Sequence, residues 1–158
     1  MLIYFAGPLF NQAERAFNLA LATTLEEHGY QVFLPQRDGL GKDNFNPISM
    51  LDSGMPEREV TKRIFTTDRD RVLAADVLLF VLDGRIPDEG ACVELGIAYG
   101  QKYLLQKSML LIGLHTDWRW AFQWAKRNAM IDGALDYIVE DEEELLAVLA
   151  SAGQADQS

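Results

Sequence analysis

Apolar positions along this chain fall into two patterns that alternate from end to end. Leu2 to Ala6, Tyr30 to Leu34, Asp76 to Asp83, Lys107 to Gly113 and Tyr137 to Val139 are short and rich in apolar residues, as strands are. The run from Val77 to Leu82 is continuous, which predicts a strand buried on both faces. Between these runs the spacing is helical. Asn11 caps a first helix whose apolar face is read as Ala16, Leu19, Ala20 and Leu25, and Gly29 ends it in a left-handed conformation. Pro56, at a first helical position, with Glu57 and Glu59 in the first turn, opens a second helix through Val60, Ile64 and Val72. A third begins near Glu89. Trp118 to Arg127 reads as an aromatic helix with Trp120, Phe122 and Trp124, followed by a turn over Asn128–Gly133. An acidic first turn at Asp141–Glu144 starts a last helix ending near Ala150. From Gly39 to Met55 the composition turns to Gly, Asp, Asn, Ser and Pro, which predicts a long loop beside a site.

Strands alternating with helices imply a parallel sheet covered on both faces. Five such units predict an α/β protein of the flavodoxin-like, doubly wound kind with strand order 2-1-3-4-5. Residues 1–151 form the expected single domain, and 152–158 a polar, disordered tail. In that order strands 1 and 3 flank the switch point. The loops after them, Gly7-Pro8-Leu9-Phe10 and Asp83 to Gly90, are therefore expected to meet over one pocket.

Composition narrows the partners. The 158 residues carry a formal charge of −10, which repels a nucleic-acid polymer but leaves small nucleosides and bases open. No run of eighteen apolar residues occurs, and Met-Leu-Ile-Tyr-Phe lacks a basic n-region, so neither a membrane span nor a signal peptide is expected. The single cysteine, Cys92, excludes an internal disulfide and fits a reducing cytoplasm. His28 and His115 lie far apart and form no metal-ligand motif, so no metal or cofactor is expected.

Gly7-Pro8 lacks the later glycines of a dinucleotide fingerprint, and no Gly-Lys-Ser/Thr occurs. Carboxylates remain: Asp68, Asp70, Asp76, Asp83, Asp88, Glu89 and Glu94. Asp76, at the start of the buried strand, reads as structural, a cap for the preceding helix. Glu94 falls about one turn into the helix that follows the central strand, where a helix N-terminus favours its ionised form. Carboxylate-only sites suit chemistry at an acetal-like carbon, where one group attacks and another manages a proton. A metal site built from the same acids is the rival reading, and it would prefer a tighter cluster.

Several spaced motifs together resemble the nucleoside 2-deoxyribosyltransferase family over nearly the whole chain, to about Ile138. They are Tyr4-Phe-Ala-Gly-Pro-Leu-Phe10, Phe33-Leu-Pro-Gln-Arg-Asp-Gly39, Asp68 eight residues before Asp76, Asp88-Glu-Gly90 with Glu94 four residues later, and Asn128-Ala-Met130. The resemblance implies a retaining double displacement in deoxyribonucleoside salvage, between a 2′-deoxynucleoside and a free nucleobase. Glu94 would match the nucleophile, Tyr4 the phenol that orients it, and Asp68 and Asp88 the acids that bind the base and handle its proton. Gln36 resembles a base-contacting amide, with Gly7, Phe10, Asp38 and Gly90 also around the substrate. Asn128, with Met130, would match residues that a neighbouring subunit inserts toward the sugar 5′-hydroxyl. That implies a homo-oligomer, a dimer or dimer-based hexamer, with shared sites. Hydrolysis of nucleosides or their 5′-monophosphates is the alternative reaction, and a non-catalytic nucleoside-binding domain the alternative without chemistry.

Overall fold

The computed structural model describes residues 1–39, 47–118 and 127–155. Five strands, β1 (Leu2–Ala6), β2 (Gln31–Phe33), β3 (Val77–Val81), β4 (Leu110–Leu114) and β5 (Tyr137–Val139), form one sheet in the order β2-β1-β3-β4-β5. Every pairing is parallel, with Tyr4 opposite Phe33 on one side and Leu78 on the other. The expected order is thus the observed one. Seven helices connect and cover the strands among the described residues: α1 (Gln12–Glu27), α2 (Pro35–Asp38), α3 (Pro47–Asp52), α4 (Glu57–Ala74), α5 (Glu89–Leu105), α6 (Ala129–Ala134) and α7 (Glu142–Ala155).

Strand periodicity divides the core into two halves. Ile3, Phe5, Val77, Leu79 and Val81 point to one face and pack with Leu21, Leu25 of α1 and Leu145, Leu149 of α7. Tyr4, Ala6, Leu78 and Phe80 point to the other, with Val72 of α4 and Ala91, Leu95, Ala98 of α5. All five residues of β3 are buried, as the uninterrupted apolar run requires.

Several local expectations are corrected. The buried stripe of α1 is Asn18, Leu21, Ala22 and Leu25, while Leu19 is 48 % exposed and Ala16 and Ala20 face solvent. Alanines all round this helix blur its apolar face, and tertiary contact selects a stripe that includes a polar residue. The N-terminus of α1 behaves as read: Asn11 and Glu14 form a reciprocal capping box. Pro56 is the N-cap of α4 rather than its first residue. The long loop is broken by α3, and residues 40–46 lie outside the described residues. So do residues 119–126, the body of the expected aromatic helix. Asn128–Gly133 is not a turn, because Asn128 is the N-cap of α6 and accepts from the Met130 N–H at 2.8 Å. The final helix runs on to Ala155, so the expected polar tail is helical over residues 152–155. Asp76 is not the cap of α4, which is Ala75: its carboxylate accepts the Leu2 N–H at 2.7 Å and ties the start of β1 to that of β3.

Candidate active site

Three elements converge on one corner of the sheet's α4–α5 face. Period two in β1 turns Tyr4 toward the helices, with its side chain fully buried and its ring stacked on Phe33 at 5.6 Å. Glu94 is the sixth residue of α5, flanked at i−3 and i+4 by buried Ala91 and Ala98. These small side chains let α5 lie close to the sheet, and the Glu94 carboxylate reaches over it. The Tyr4 hydroxyl donates to Glu94 Oε1 at 2.6 Å. Asp68 occupies the core-facing stripe of α4, one turn from Ile64 and one from Val72. Asp88 is the N-cap of α5 and accepts the Ala91 N–H at 2.8 Å.

Burial governs the electrostatics. It pushes the Glu94 carboxyl up to about 8; the hydrogen bond from Tyr4 opposes this, and the charges of Asp68 and Asp88 add to it. Burial also raises Asp68 to about 6. The Tyr4 hydroxyl is held far above its ordinary value by burial, by the Glu94 and Asp68 charges and by its bond to Glu94. Tyr4 is therefore a permanent donor, and two carboxyls titrate near neutrality beside it. Being beyond the first turn, Glu94 receives little from the α5 dipole, contrary to the expectation from sequence. Tyr4 is the group that favours its ionised form.

The remaining candidates have distinct placements. Gly7 has φ +155°, and a Cβ there would lie 3.0 Å from Val81 Cβ; only glycine lets the first loop pass this close to β3. That loop and the start of the β3–α5 loop meet around a cavity of about 270 Å³, lined by Pro8, Glu14, Asn18, Val81, Asp83 and Gly84. Phe10 is 76 % exposed. Gly90 leaves room for the Asp88 cap, since a Cβ would sit 3.2 Å from its Oδ1. The Asp38 carboxylate accepts from the Leu34 N–H at 3.0 Å and pairs with Arg37 at 2.8 Å, which also binds Glu26. Gln36 is bonded to α1 through both ends of its amide.

Asn128 and Met130 line a groove of about 520 Å³ with Cys92, Leu95, Gly96 and Tyr99 of α5. That stripe of α5 lies on the far side of the helix from Glu94. The fold thus brings together Tyr4, Asp68, Asp88 and Glu94, and leaves Asn128 and Met130 of the same chain apart from them.

Two contributions escape a reading of sequence. Asp83 accepts from the N–H groups of Thr116 and Asp117 at 2.7 and 3.0 Å and from the Thr116 hydroxyl, joining the loops after β3 and β4. Nothing local to Asp83 signals partners 33 residues on. Asn18 is the other, and it did leave a signal: it sits at i−3, i−4 and i−7 from Leu21, Ala22 and Leu25. Among the described residues, no group of three or more His, Cys, Asp or Glu side chains is disposed to hold a metal ion.

A doubly wound parallel sheet with a phenol-bound carboxylate and two further acids at one corner defines an α/β protein equipped for carboxylate chemistry. The chain belongs to the nucleoside 2-deoxyribosyltransferase family, whose sequence profile matches residues 3–149. Its fold is similar to that of a conserved protein from Enterococcus faecalis V583, with a TM-score of 0.68 and 26% identity over 93% of this chain and 95% of that one. It is also similar to the 2-deoxyribosyltransferase from Bacillus psychrosaccharolyticus, with a TM-score of 0.69 and 22% identity over 92% and 90% of the two chains. No curated protein matches the sequence.

Proposed function

We propose that this protein transfers a 2-deoxyribosyl group between nucleobases by double displacement, with Glu94 as nucleophile. The observation that carries the reading is the Tyr4–Glu94 hydrogen bond beside Asp68 and Asp88, within a chain of this family. A Glu94 carboxylate oxygen attacks the anomeric carbon as the N-glycosidic bond breaks, and the bond's electron pair leaves with the base. Asp68 or Asp88 supplies the proton that the departing nitrogen needs. The product of this step is a glycosyl ester on Glu94. A nitrogen of the second base then attacks the same carbon, the ester bond breaks to restore the Glu94 carboxylate, and the incoming nitrogen's proton returns to the acid. Two inversions give net retention.

Unphosphorylated nucleosides suit the site better than 5′-monophosphates. In the first loop the Phe10 and Asn11 N–H groups already donate to Glu14 Oε2 at 2.8 and 3.1 Å, so an internal carboxylate holds the anion position at the start of α1. Asn128 and Met130 are exposed on the side of α5 away from Glu94, which supports a role for them in a second copy's pocket, and we assign the working form to a homo-oligomer with shared sites. The single cysteine is in keeping with a cytoplasmic setting, which we include in this reading.

The test is product analysis with a 2′-deoxynucleoside, with and without a second free base. A new nucleoside that forms only with the acceptor, and slow hydrolysis without it, is the expected result. Equal hydrolysis in both arms replaces the transferase by a hydrolase. Rapid cleavage of the 5′-monophosphate but not of the nucleoside does the same. Bound nucleoside that is never cleaved leaves a non-catalytic binding domain.

A further inference from the structure

Asn18 is the one polar or charged residue buried in the core among the described residues, at 2 % exposure. It stands on the apolar stripe of α1, at a place where a leucine would satisfy the packing pattern. An amide there is retained against a desolvation penalty, which directs attention to its partners. The Asn18 amino group donates to the Pro8 carbonyl at 2.9 Å and to Gln36 Oε1 at 3.2 Å. Gln36 Nε2 in turn donates to the Arg15 carbonyl at 2.8 Å.

Both ends of this chain of bonds are backbone carbonyls, which can only accept. Their polarity orients the two amides between them. Asn18 must present its amino group to Pro8, and Gln36 must present its oxygen to Asn18 and its amino group to Arg15. A side-chain amide has two acceptor and two donor positions. Gln36 therefore keeps one acceptor and one donor uncommitted by these bonds, in a fixed order. The Asn18–Pro8 end of the clamp borders the cavity at the carboxyl ends of β1 and β3, which Val81 and Asp83 also line.

We propose that Asn18 is a positioning residue for nucleobase selection, which acts by fixing the orientation of the Gln36 amide. The inference rests on the deoxyribosyltransferase reading and deepens it. A locked amide discriminates between bases whose edges carry donor and acceptor in opposite order. Adenine against hypoxanthine is one such pair, and cytosine against uracil another. An amide free to turn over reads both members of a pair alike. Correct pairing of an amide with a base edge is worth roughly five- to 150-fold in discrimination.

The experiment measures kcat/KM for both members of each pair as acceptors, using one donor nucleoside. Asn18→Asp keeps the shape of the side chain and removes its donor, so Gln36 loses its fixed order. The ratio within a pair should move about tenfold toward the disfavoured base. In a Gln36→Ala background the same Asn18→Asp change should leave the ratio where Gln36→Ala alone puts it. Gln36→Glu, in the short helix α2 outside the core, provides a second route if Asn18→Asp does not fold: it accepts from Asn18 but cannot donate to Arg15, and should also move the ratio. Loss of rate that is equal for all bases, with ratios unchanged in both single variants, overturns the proposal and leaves Asn18 a packing residue. A ratio shift that persists without the Gln36 amide overturns it as well. Wild-type protein that transfers to no base refutes the transferase reading and this inference with it, an outcome distinct from active transfer with unmoved ratios.

Discussion

The Tyr4 hydroxyl and the Glu94 carboxylate, 90 residues apart in the chain, meet at 2.6 Å on one face of the sheet. Tyr4 reaches that face through strand alternation, and Glu94 reaches it across the two alanines of α5. In the proposed mechanism the pair would set the reactivity of the site, because Tyr4 is the group that opposes the effect of burial on Glu94. Glu94→Ala should lower transfer by about a thousandfold or more, some 4 kcal/mol of transition-state stabilisation, since the covalent route disappears. Intact-protein mass spectrometry with a slow 2′-fluorinated nucleoside should locate an adduct on Glu94. An adduct on Asp68 or Asp88 would reassign the nucleophile.

Tyr4→Phe removes a hydrogen bond to the charged form of Glu94 and leaves the ring stack with Phe33 in place. The loss of one charge-assisted bond is worth about 1.5–3 kcal/mol, or roughly ten- to a hundredfold in kcat/KM. The pH profile carries the mechanism. In the free protein Glu94 titrates at about 8, so kcat/KM should rise as pH increases through that region. Without Tyr4 the limb should move to still higher pH. A limb that stays in place or moves to lower pH would show that Tyr4 does not govern the ionisation of Glu94.

Stability should carry the opposite pH signature. Glu94 has a folded value of about 8 against an ordinary 4.5, so between these limits the folded protein binds more protons than the unfolded one. Stability therefore falls as pH rises through this window, and the penalty is complete above it. Glu94→Gln abolishes the titration. The variant should gain on wild type by about 1–3 kcal/mol between pH 4.5 and 8.5, read as a widening difference in Tm. A gap that is constant with pH would place Glu94 in a better solvated setting.

Gly7→Ala tests the close approach of the first loop to β3. A methyl there would stand 3.0 Å from Val81 Cβ on a backbone at φ +155°, a combination that should cost about 1–3 kcal/mol. Denaturant unfolding should show the loss with an unchanged m-value. A neutral substitution would mean that the loop can move away from Val81.

Complementation between subunits tests the shared site. If Asn128 serves a neighbour's pocket, Glu94→Gln and Asn128→Ala damage different halves of a composite site. Two-fold symmetry then puts both lesions in one pocket of a mixed pair and none in the other, so random mixing should restore about a quarter of wild-type sites. Co-refolding the two inactive variants at equal ratio and assaying against each alone provides the measurement. No recovery after proven mixing would place Asn128 outside a shared pocket.

Much of this protein is legible in its sequence because the relevant signals are local. The unbroken run in β3, the Asn11–Glu14 box and the Gly29 stop each involve residues within a few positions of one another, and alternation of such elements sets the order 2-1-3-4-5. Where composition left a helix ambiguous, as in the alanine-rich α1, packing against the sheet chose the stripe that holds Asn18. The contacts of the candidate site are of another kind. That Tyr4 meets Glu94, that Asn18 reads Pro8 and Gln36 together, and that Asn128 lies across α5 from Glu94 all depend on which faces of distant elements the sheet brings together. A carboxyl's burial, and with it the raised values of Asp68 and Glu94, is likewise a property of the assembled corner, because desolvation comes from neighbours that are remote in the chain.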